Sequence, residues 1–435
     1  SKAVELKPDD YELQSLLGIE LTQNGDFDAV DAVIASFEQA IKIDPKNAEA
    51  YNGIGTVLNE KGELDAAIDS YKQALEIKPE YADACFNMGN ALKDKGQLDA
   101  AIDSYKQALK IKSDFAAAYN NIGFALKEQG KFEEAIKAYH NTIAIKPDFA
   151  EANCNMGLAL LATQNFHQGF KLQDWRWKTT ERRGQFLKSS KPLWNNEHRK
   201  SVFVWGEQGI GDEIMFASMI PELHKLSSKI ILRCDERLIP LFKRSFPGNI
   251  IYYSQGQAVA EDEYDFHIPI GSLSKIFRTS LESFKKTSAG FLNYDWEKTC
   301  RLRDAISVGE EKKVIGISWK TKSPQKGSSD RNIKLADLAQ ILDHANIRLV
   351  CLQYGDVDGE LKALKRDLGI EIIQVSEVDN MNDIDGLASL IMACDQVVST
   401  TNVTVHLAGA LGANTKVLLP FSTRWIWGSS GSDSF

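Results

Sequence analysis

Cysteine is scarce in this chain and never forms a paired motif. The 6 cysteines are scattered over 435 residues, and no C-x-x-C pair occurs among them. This pattern argues against a zinc site or a disulfide scaffold and favours a reducing compartment. We therefore expect six free, mostly buried thiols and a cytoplasmic location.

Two further absences narrow the possible function classes. No apolar run approaches the roughly 20 residues that a helix needs to cross a bilayer, so we expect no membrane span. The net charge of −9 argues against a surface for nucleic acid. No signal peptide is visible, and Ser1 opens a segment typical of the end of a repeat helix, so we expect the natural N-terminus to lie upstream.

What the sequence does contain is a repeat. Glycine, alanine and tyrosine return every 34 residues, and proline has the same period except at Ser113; such a period is typical of a helical solenoid. The repeated positions are Gly55, Gly89, Gly123 and Gly157, then Ala50, Ala84, Ala118 and Ala152, then Tyr71, Tyr105 and Tyr139, and Pro45, Pro79 and Pro147. Small residues let paired helices approach, aromatic rings fill the space between neighbours, and proline ends the second helix. These residues resemble tetratricopeptide repeats (TPRs), and we expect a TPR superhelix over residues 1–178.

Asparagine recurs two positions before the repeated glycine. Asn87, Asn121 and Asn155 occupy this position, and Gly53 interrupts the series in the earlier unit. A row of amides along a concave groove can bind the backbone of an extended peptide, and the repeats of O-linked N-acetylglucosamine transferase are similar in this respect. Alternatively, these asparagines are solvated or bond to the adjacent repeat.

After a polar linker at residues 179–199, short apolar runs alternate with helical stretches. The runs lie at 201–205, 230–234, 250–253, 266–270, 314–319, 348–353, 371–375 and 396–400. This alternation predicts parallel sheets with helices on both faces. We expect two doubly wound, Rossmann-like α/β lobes, at residues 200–300 and 312–435, with a ligand cleft between them.

The first apolar run leads into a glycine loop, GEQGIGD, which ends on Asp212 where a helix should begin. Glycine permits close approach of a ligand, and the helix supplies N–H groups at its positive end. The other candidate residues of this loop are Glu207, Gln208, Gly209 and Gly211. The spacing differs from the dinucleotide motif G-x-G-x-x-G, and the loop lacks the lysine of a P-loop, so neither of those sites is favoured.

A second candidate site lies in the other lobe, where a strand is followed by a hydroxyl-rich turn and a helix that should begin near Thr404. The residues that could face a diphosphate beside the helix N–H groups are Thr401, Asn402, Thr404 and His406. Alternatively, the threonine and asparagine only cap the helix and the histidine is structural.

Several motifs occur in the order seen in bacterial proteins that fuse TPRs to a heptosyltransferase-like glycosyltransferase. They are VWGEQGIGDEIMFAS, YDFHIPIGSLSKIF, GISWK followed by RNIKLADL, LQYGD, and VVSTTNVTVHLAGALG. This resemblance implies the two-lobed GT-B fold, a nucleotide-sugar donor bound by the C-terminal lobe, and inverting transfer without a metal.

The resemblance also implies roles for single residues. Asp212 corresponds to the base that receives the proton of the acceptor hydroxyl, and His406 corresponds to a donor-site histidine. A phosphate-binding basic residue corresponds to Lys320 or Arg331, without a choice between them. We assign Gln353 of the LQYGD motif to the donor site as well. Asp212 could instead only stabilise the positive end of its helix.

The chain departs from the family pattern near its end. Thr401 stands where the family usually has an acid, and Val403 stands where it has glycine. We interpret these departures as a changed donor preference, with loss of activity as the alternative. The chain stops at Phe435, where family members continue, so we expect a truncated C-terminal lobe.

Two acidic pairs, Asp356 with Asp358 and Asp383 with Asp385, resemble the D-x-D metal site of another glycosyltransferase class. Such pairs arise by chance in an acidic chain, and a hard cation needs several converging oxygens. We expect solvated loop charges here, with no metal and no cofactor.

Together these features predict an enzyme, a cytoplasmic glycosyltransferase that moves a sugar from a nucleotide-sugar to a Ser or Thr hydroxyl of a protein held in the TPR groove. Uridine diphosphate N-acetylglucosamine is the donor suggested by analogy. The alternatives are a TPR scaffold with an inactive transferase region, and a transferase for a lipid or saccharide acceptor. Formation of a homo-oligomer is left open.

Overall fold

The computed structural model describes residues 27–182, 184–207, 209–284, 290–307, 312–321 and 332–419. These residues divide into two compact units. The first contains the chain up to residue 163 together with residues 172–184, and the second contains residues 164–171 and the chain from residue 185 onward. The two chain ends, on which the predictions of a missing N-terminus and a truncated C-terminal lobe rest, lie outside the described residues.

The first unit consists of helices, each of which packs against the next along the chain. They are α1 (Phe27–Ile43), α2 (Ala48–Lys61), α3 (Leu64–Ile77), α4 (Ala82–Asp94), α5 (Leu98–Ile111), α6 (Ala116–Glu128), α7 (Phe132–Ile145) and α8 (Ala150–Ala162). The next helix along the chain, α9 (Phe166–Gln173), belongs to the second unit up to residue 171, and short 3-10 helices of the first unit follow at Asp174–Lys178 and Thr180–Arg182.

The repeated glycines and tyrosines of the first unit meet inside each helix pair. Tyr105 is fully buried, and a Cβ atom on Gly89 would lie 2.5 Å from its ring. The same arrangement joins Gly55 to Tyr71 and Gly123 to Tyr139, each with a distance of 2.6 Å. The glycine therefore leaves the space that the aromatic ring fills, which is the packing predicted from the repeat.

The second unit begins with a four-stranded parallel sheet in the order β3-β2-β1-β4. Its strands are β1 (Ser201–Trp205), β2 (Lys229–Cys234), β3 (Ile250–Ser254) and β4 (Phe266–Pro269). Its helices are α10 (Ile210–Ala217), α11 (Ile220–Leu226), α12 (Ile239–Ser245) and α13 (Ser274–Phe277). On one face, Val202 and Val204 pack among residues of α10, α11 and α12. On the opposite face, Phe203 and Trp205 contact Tyr264 and Phe186, which belong to non-helical segments.

A five-stranded parallel sheet follows in the order β7-β6-β5-β8-β9. Its strands are β5 (Lys313–Ser318), β6 (Ile347–Cys351), β7 (Ile372–Ile373), β8 (Gln396–Thr400) and β9 (Thr415–Leu418). Its helices are α14 (Trp296–Ser307), α15 (Leu335–Leu342), α16 (Asp358–Leu368), α17 (Ile384–Met392) and α18 (Val403–Leu411). One face packs against α15 and α16 and the other against α17 and α18, as expected of a doubly wound sheet.

Both sheets of the second unit contribute to one continuous buried apolar cluster, which contains Val204 and Leu232 of the first sheet and Val350 and Val397 of the second. All eight predicted apolar runs contain a strand, and β9 is an additional strand that we did not predict. The six cysteines are free thiols, of which Cys85, Cys234 and Cys351 are buried. None of the helices in the described segments has the length and apolarity needed to cross a membrane.

Candidate functional site

The glycine loop connects the end of β1 to the start of α10. The Gly206 N–H donates to the Arg233 carbonyl over 2.7 Å, and Gly209 is the extended residue that precedes the helix. Asp212 lies in the first turn of α10 and is half-buried. Its carboxylate therefore lies at the carboxyl edge of the first sheet, where parallel sheets bind their ligands.

Glu207 of this loop has a structural contact of its own. Its carboxylate accepts a hydrogen bond from the Gly271 N–H over 2.8 Å, at the end of β4. A Cβ atom on Gly271 would lie 2.7 Å from the Glu207 Oε1 atom. Glu207 therefore fixes the loop to the neighbouring strand. The adjacent candidate, Gln208, lies outside the described residues.

Glu213, the residue after Asp212, is wholly buried, which we did not predict. Burial raises the pKa of its carboxyl to about 7. A signal for this position was present in the sequence, since Ile210, Glu213, Ile214 and Ala217 lie at helical spacing on one face of α10. Asp212 lies off that face.

In the second sheet, Gln353 ties together the segments that follow β5 and β6. Its Oε1 atom accepts hydrogen bonds from the backbone N–H groups of Trp319 and Lys320, each over 2.9 Å, and from the Ser318 hydroxyl over 3.1 Å. Its Nε2 atom donates to the Lys320 carbonyl over 3.1 Å. The side chain is buried, with an exposed fraction of 2%. Gln353 therefore orders the loop that follows β5, and its polar atoms bond to protein groups.

Asn402 connects β5 to α18. Its Oδ1 atom accepts from the Thr404 N–H over 3.0 Å and caps the helix, while its Nδ2 atom donates to the Ser318 hydroxyl over 2.7 Å. Thr404 is buried, and its hydroxyl contacts the Leu352 carbonyl at 3.4 Å. The Asn402 side chain therefore caps the helix in this structure, as in the alternative interpretation of this pattern.

Two other predicted donor-site residues differ in how they are bonded. The Lys320 ammonium forms an ion pair with Glu360, whose other carboxylate oxygen accepts from the Trp319 indole over 2.7 Å. By contrast, the buried Thr401 hydroxyl has no hydrogen-bond partner among the residues that the structure describes. Arg331, the second candidate for a phosphate-binding basic residue, lies outside the described part of the chain.

The two helices that follow the predicted loops meet at their N-terminal ends. Gly211, in the first turn of α10, lies against His406 of α18, and a Cβ atom on Gly211 would lie 3.1 Å from the imidazole Cδ2 atom. His406 is half-buried. The structure thus brings the Asp212 turn and the imidazole together from two different sheets. The absence of a side chain at Gly211 favours this approach, because a Cβ atom there would require the imidazole to shift by a few tenths of an ångström.

The asparagine series of the first unit takes part in bonds between repeats. The Asn87 Nδ2 atom donates to the Asn52 side chain over 3.1 Å, and the Asn121 Nδ2 atom donates to the Asn90 side chain over 2.8 Å. Both bonds join neighbouring repeats, as in our alternative interpretation that these asparagines bond to the adjacent repeat. Asn155 is half-buried, and its side chain forms no hydrogen bond among the described residues.

Comparison with known families identifies the first unit. Residues 55–96, 89–130 and 125–164 each match the family described as TPR repeat, and residues 36–69 match the family described as tetratricopeptide repeat. Residues 36–164 are tetratricopeptide repeats. The N-terminal region is therefore a helical scaffold of the type that binds proteins or peptides.

Protein FlbA of Caulobacter vibrioides is 30% identical to this chain over 231 residues. The match covers 49% of this chain and 38% of FlbA, so the chain spans well under half of that relative's length. A crystal structure of MamA is 28% identical, covers 39% of this chain and 97% of its own, and has a TM-score of 0.34. YrrB, described as a TPR protein with an unusual peptide-binding site, is 21% identical, with coverage of 42% and 92% and a TM-score of 0.32.

Proposed function

We propose that the second unit is a glycosyltransferase of the two-lobed GT-B type, which transfers a sugar from a nucleotide-sugar to a protein hydroxyl. The observation that supports this proposal is the meeting of the Asp212 turn with His406, at 3.1 Å from a Cβ atom built on Gly211. An acid and an imidazole thereby lie at the carboxyl edges of two parallel sheets, where α/β proteins bind their ligands.

In this proposal, the Asp212 carboxylate accepts the proton of the acceptor hydroxyl while the hydroxyl oxygen bonds to the anomeric carbon of the sugar. The bond between that carbon and the diphosphate oxygen breaks, and the nucleoside diphosphate leaves with the electron pair. Because the attack comes from the face opposite the leaving group, the configuration at the anomeric carbon inverts.

The leaving diphosphate gains negative charge in this step and needs donors that are already in place. The first turn of α18 offers backbone N–H groups at the positive end of the helix, and the His406 imidazole lies on the same turn. The Thr401 hydroxyl, two residues before this helix, has no hydrogen-bond partner in the described part of the chain, which supports a ligand site here. Lys320 and Arg331 are the basic candidates for the same role, and Lys320 would have to leave its ion pair with Glu360.

The acceptor side of the proposal concerns the TPR groove. We propose that an extended segment of the acceptor protein binds along the helices that carry Asn87, Asn121 and Asn155. Uridine diphosphate N-acetylglucosamine is the first donor to test. The division into residues 1–178, 179–199, 200–300 and 312–435 remains our proposal for the domains.

The test is turnover of the nucleotide-sugar by the full chain, by hydrolysis or by transfer to a protein acceptor, with Asp212→Asn as the variant. We expect this variant to lose turnover by roughly 100-fold or more while nucleotide binding is retained. Asp337→Asn is the matched control, because Asp337 is an exposed acid in the first turn of α15. Equal turnover by Asp212→Asn and the wild type would leave Asp212 only its helix-stabilising role.

A second candidate is a TPR scaffold whose transferase region has no activity. It is favoured by Thr401 in place of the family's usual acid, and by Gln353 and Asn402, whose polar atoms bond to protein groups. This candidate predicts peptide binding by the repeats with no nucleotide-sugar turnover at all.

A further inference from the structure

Glu213 is a buried acid that the proposed reaction does not use. It occupies the first turn of α10 and is 0% exposed. An acid in a first turn commonly points to solvent and stabilises the positive end of the helix. Glu213 is instead buried against other segments of the protein, so it has a different role.

The carboxylate of Glu213 contacts the segments that follow β2 and β3. Its Oε2 atom accepts from the Asp235 backbone N–H over 2.8 Å, directly after β2. Its Oε1 atom accepts from the Gln255 side-chain amide over 2.6 Å, directly after β3. Both bonds lie at the carboxyl edge of the sheet, beside the glycine loop.

The glycine loop itself lies against the same carboxylate. A Cβ atom on Gly206 would overlap the Glu213 Oε1 atom, so a side chain at this position would displace the carboxylate. The loop backbone is also fixed from the other side, since the Gly206 N–H donates to the Arg233 carbonyl over 2.7 Å. One carboxylate therefore touches the segments that follow β1, β2 and β3.

Among the described residues, few positive charges lie near the buried Glu213 carboxylate. The groups that face it are the Asp235 carboxylate, the Arg237 guanidinium and the Cys234 thiol. Arg237 is largely engaged by Asp235, through bonds of 2.8 and 2.7 Å. Because burial raises the pKa of Glu213 to about 7, its ionised and protonated forms are both populated near neutral pH.

The two forms differ in hydrogen bonding. The ionised carboxylate accepts both the Asp235 N–H and the Gln255 amide. The protonated carboxyl has one O–H donor, so one oxygen can no longer serve an N–H donor in the same way. Protonation therefore weakens the contact on one side, and the exposed residue Gln255 is the partner best able to turn away.

We infer that Glu213 is the positioning residue of the glycine loop, and that its ionised carboxylate fixes the loop and the first turn of α10 in the arrangement that places Asp212. This inference rests on the proposed function. It also predicts that the position of the loop depends on pH, which the proposed role of Asp212 does not predict. Asp212 acts on the acceptor, whereas Glu213 acts through the position of the loop.

The experiment compares the full chain with Glu213→Gln and Gln255→Ala. The first readout is amide hydrogen exchange at Gly206, Gly209 and Gly211, corrected for the intrinsic effect of pH. We expect both variants to exchange these amides roughly tenfold faster than the wild type at pH 8. Glu236→Gln is the control, since it removes an exposed charge nearby and should leave exchange unchanged.

The second readout is the pH profile of nucleotide-sugar turnover between about pH 6 and 8. The wild type should gain turnover as Glu213 ionises, and Glu213→Gln should be slow and flat across this range with unchanged nucleotide binding. A wild-type profile and wild-type exchange in Glu213→Gln would overturn the inference. If even the wild type has no turnover, the proposed function fails, and unchanged exchange in both variants would separately overturn the positioning role.

Discussion

At the scale of single residues, two buried amide side chains fix the loops at the edge of the second sheet, a role that the sequence alone does not reveal. Gln353 and Asn402 hold the ends of β5, β6 and β8 together through bonds to Ser318, Trp319 and Lys320. Each amide offers both a donor and an acceptor, so one side chain can satisfy several buried groups. The loops that carry the candidate donor site thus owe their positions to these two residues.

Replacing Gln353 should therefore destabilise the second unit. In Gln353→Leu, the buried Trp319 N–H and the half-buried Lys320 N–H lose their shared acceptor. We expect the free energy of unfolding to fall by about 2–4 kcal/mol, because unsatisfied buried donors are costly. Denaturant titration measures this, with the exposed Gln374→Leu as the control. A loss below about 0.5 kcal/mol would show that the loop finds other acceptors.

Glu213 should make stability depend on pH. Its pKa is raised to about 7 in the folded chain, from an ordinary value of 4.5. The folded state therefore holds this proton more tightly, and stability falls as pH rises from about 4.5 to about 7. Relative to Glu213→Gln, the wild type should lose up to about 3 kcal/mol across this window.

The measurement is denaturant titration of both proteins at several pH values. The difference between them cancels the titration of other groups, including His267, whose pKa is lowered by burial. A constant difference from pH 5 to pH 8 would contradict the assignment. The loop is thus positioned by an ionised acid at the expense of stability, a compromise often found at functional sites.

Some of these roles were predictable and others were not. Asn402 stands directly before a predicted helix, and capping was one of the two interpretations of that pattern. The acceptor role of Gln353 was not predictable, since its partners lie more than 30 residues away in the chain. Likewise, the bond from Asn121 to Asn90 depends on how neighbouring repeats pack.

At the scale of elements, the repeat helices and the strands follow from periodicity. The glycines and tyrosines of each repeat meet as expected, and the eight apolar runs became strands because they are short, continuous and rich in β-branched residues. The strand β9 was missed because Thr415–Leu418 is short and only partly apolar. For the first sheet we predicted helices on both faces, and this prediction is correct for one face. On the other face, Phe203 packs against Tyr264, which belongs to a non-helical segment.

The close contact inside each repeat should be intolerant of a methyl group. In Gly89→Ala, the new Cβ atom would lie 2.5 Å from the Tyr105 ring. We expect a loss of about 1–3 kcal/mol from overpacking, although alanine favours a helix over glycine. Thermal unfolding checks this. The double variant Gly89→Ala with Tyr105→Leu should lose less stability than the sum of the two single variants, and simple additivity would contradict the steric explanation.

At the scale of the whole molecule, a TPR scaffold and a two-sheet α/β unit are joined in one chain. In the second unit, the first turns of two helices lie close together, with Asp212 on one turn and His406 on the other. No sequence pattern could predict this meeting from spacing alone, because Gly211 and His406 are separated by almost the whole second unit. The family resemblance assigned roles to Asp212 and His406 separately and did not predict the contact between their helices.

We propose that the meeting point of the Asp212 turn and His406 binds a nucleotide-sugar. The most direct test is calorimetric titration of the full chain with uridine, guanosine, adenosine and cytidine diphosphates and their sugars. It is repeated with His406→Ala and with the control His140→Ala, which changes an exposed histidine on α7. We expect saturable binding of one nucleotide by the wild type and the control, weakened roughly tenfold or more in His406→Ala. Absence of binding by folded protein, or binding that His406→Ala leaves unchanged, would contradict it.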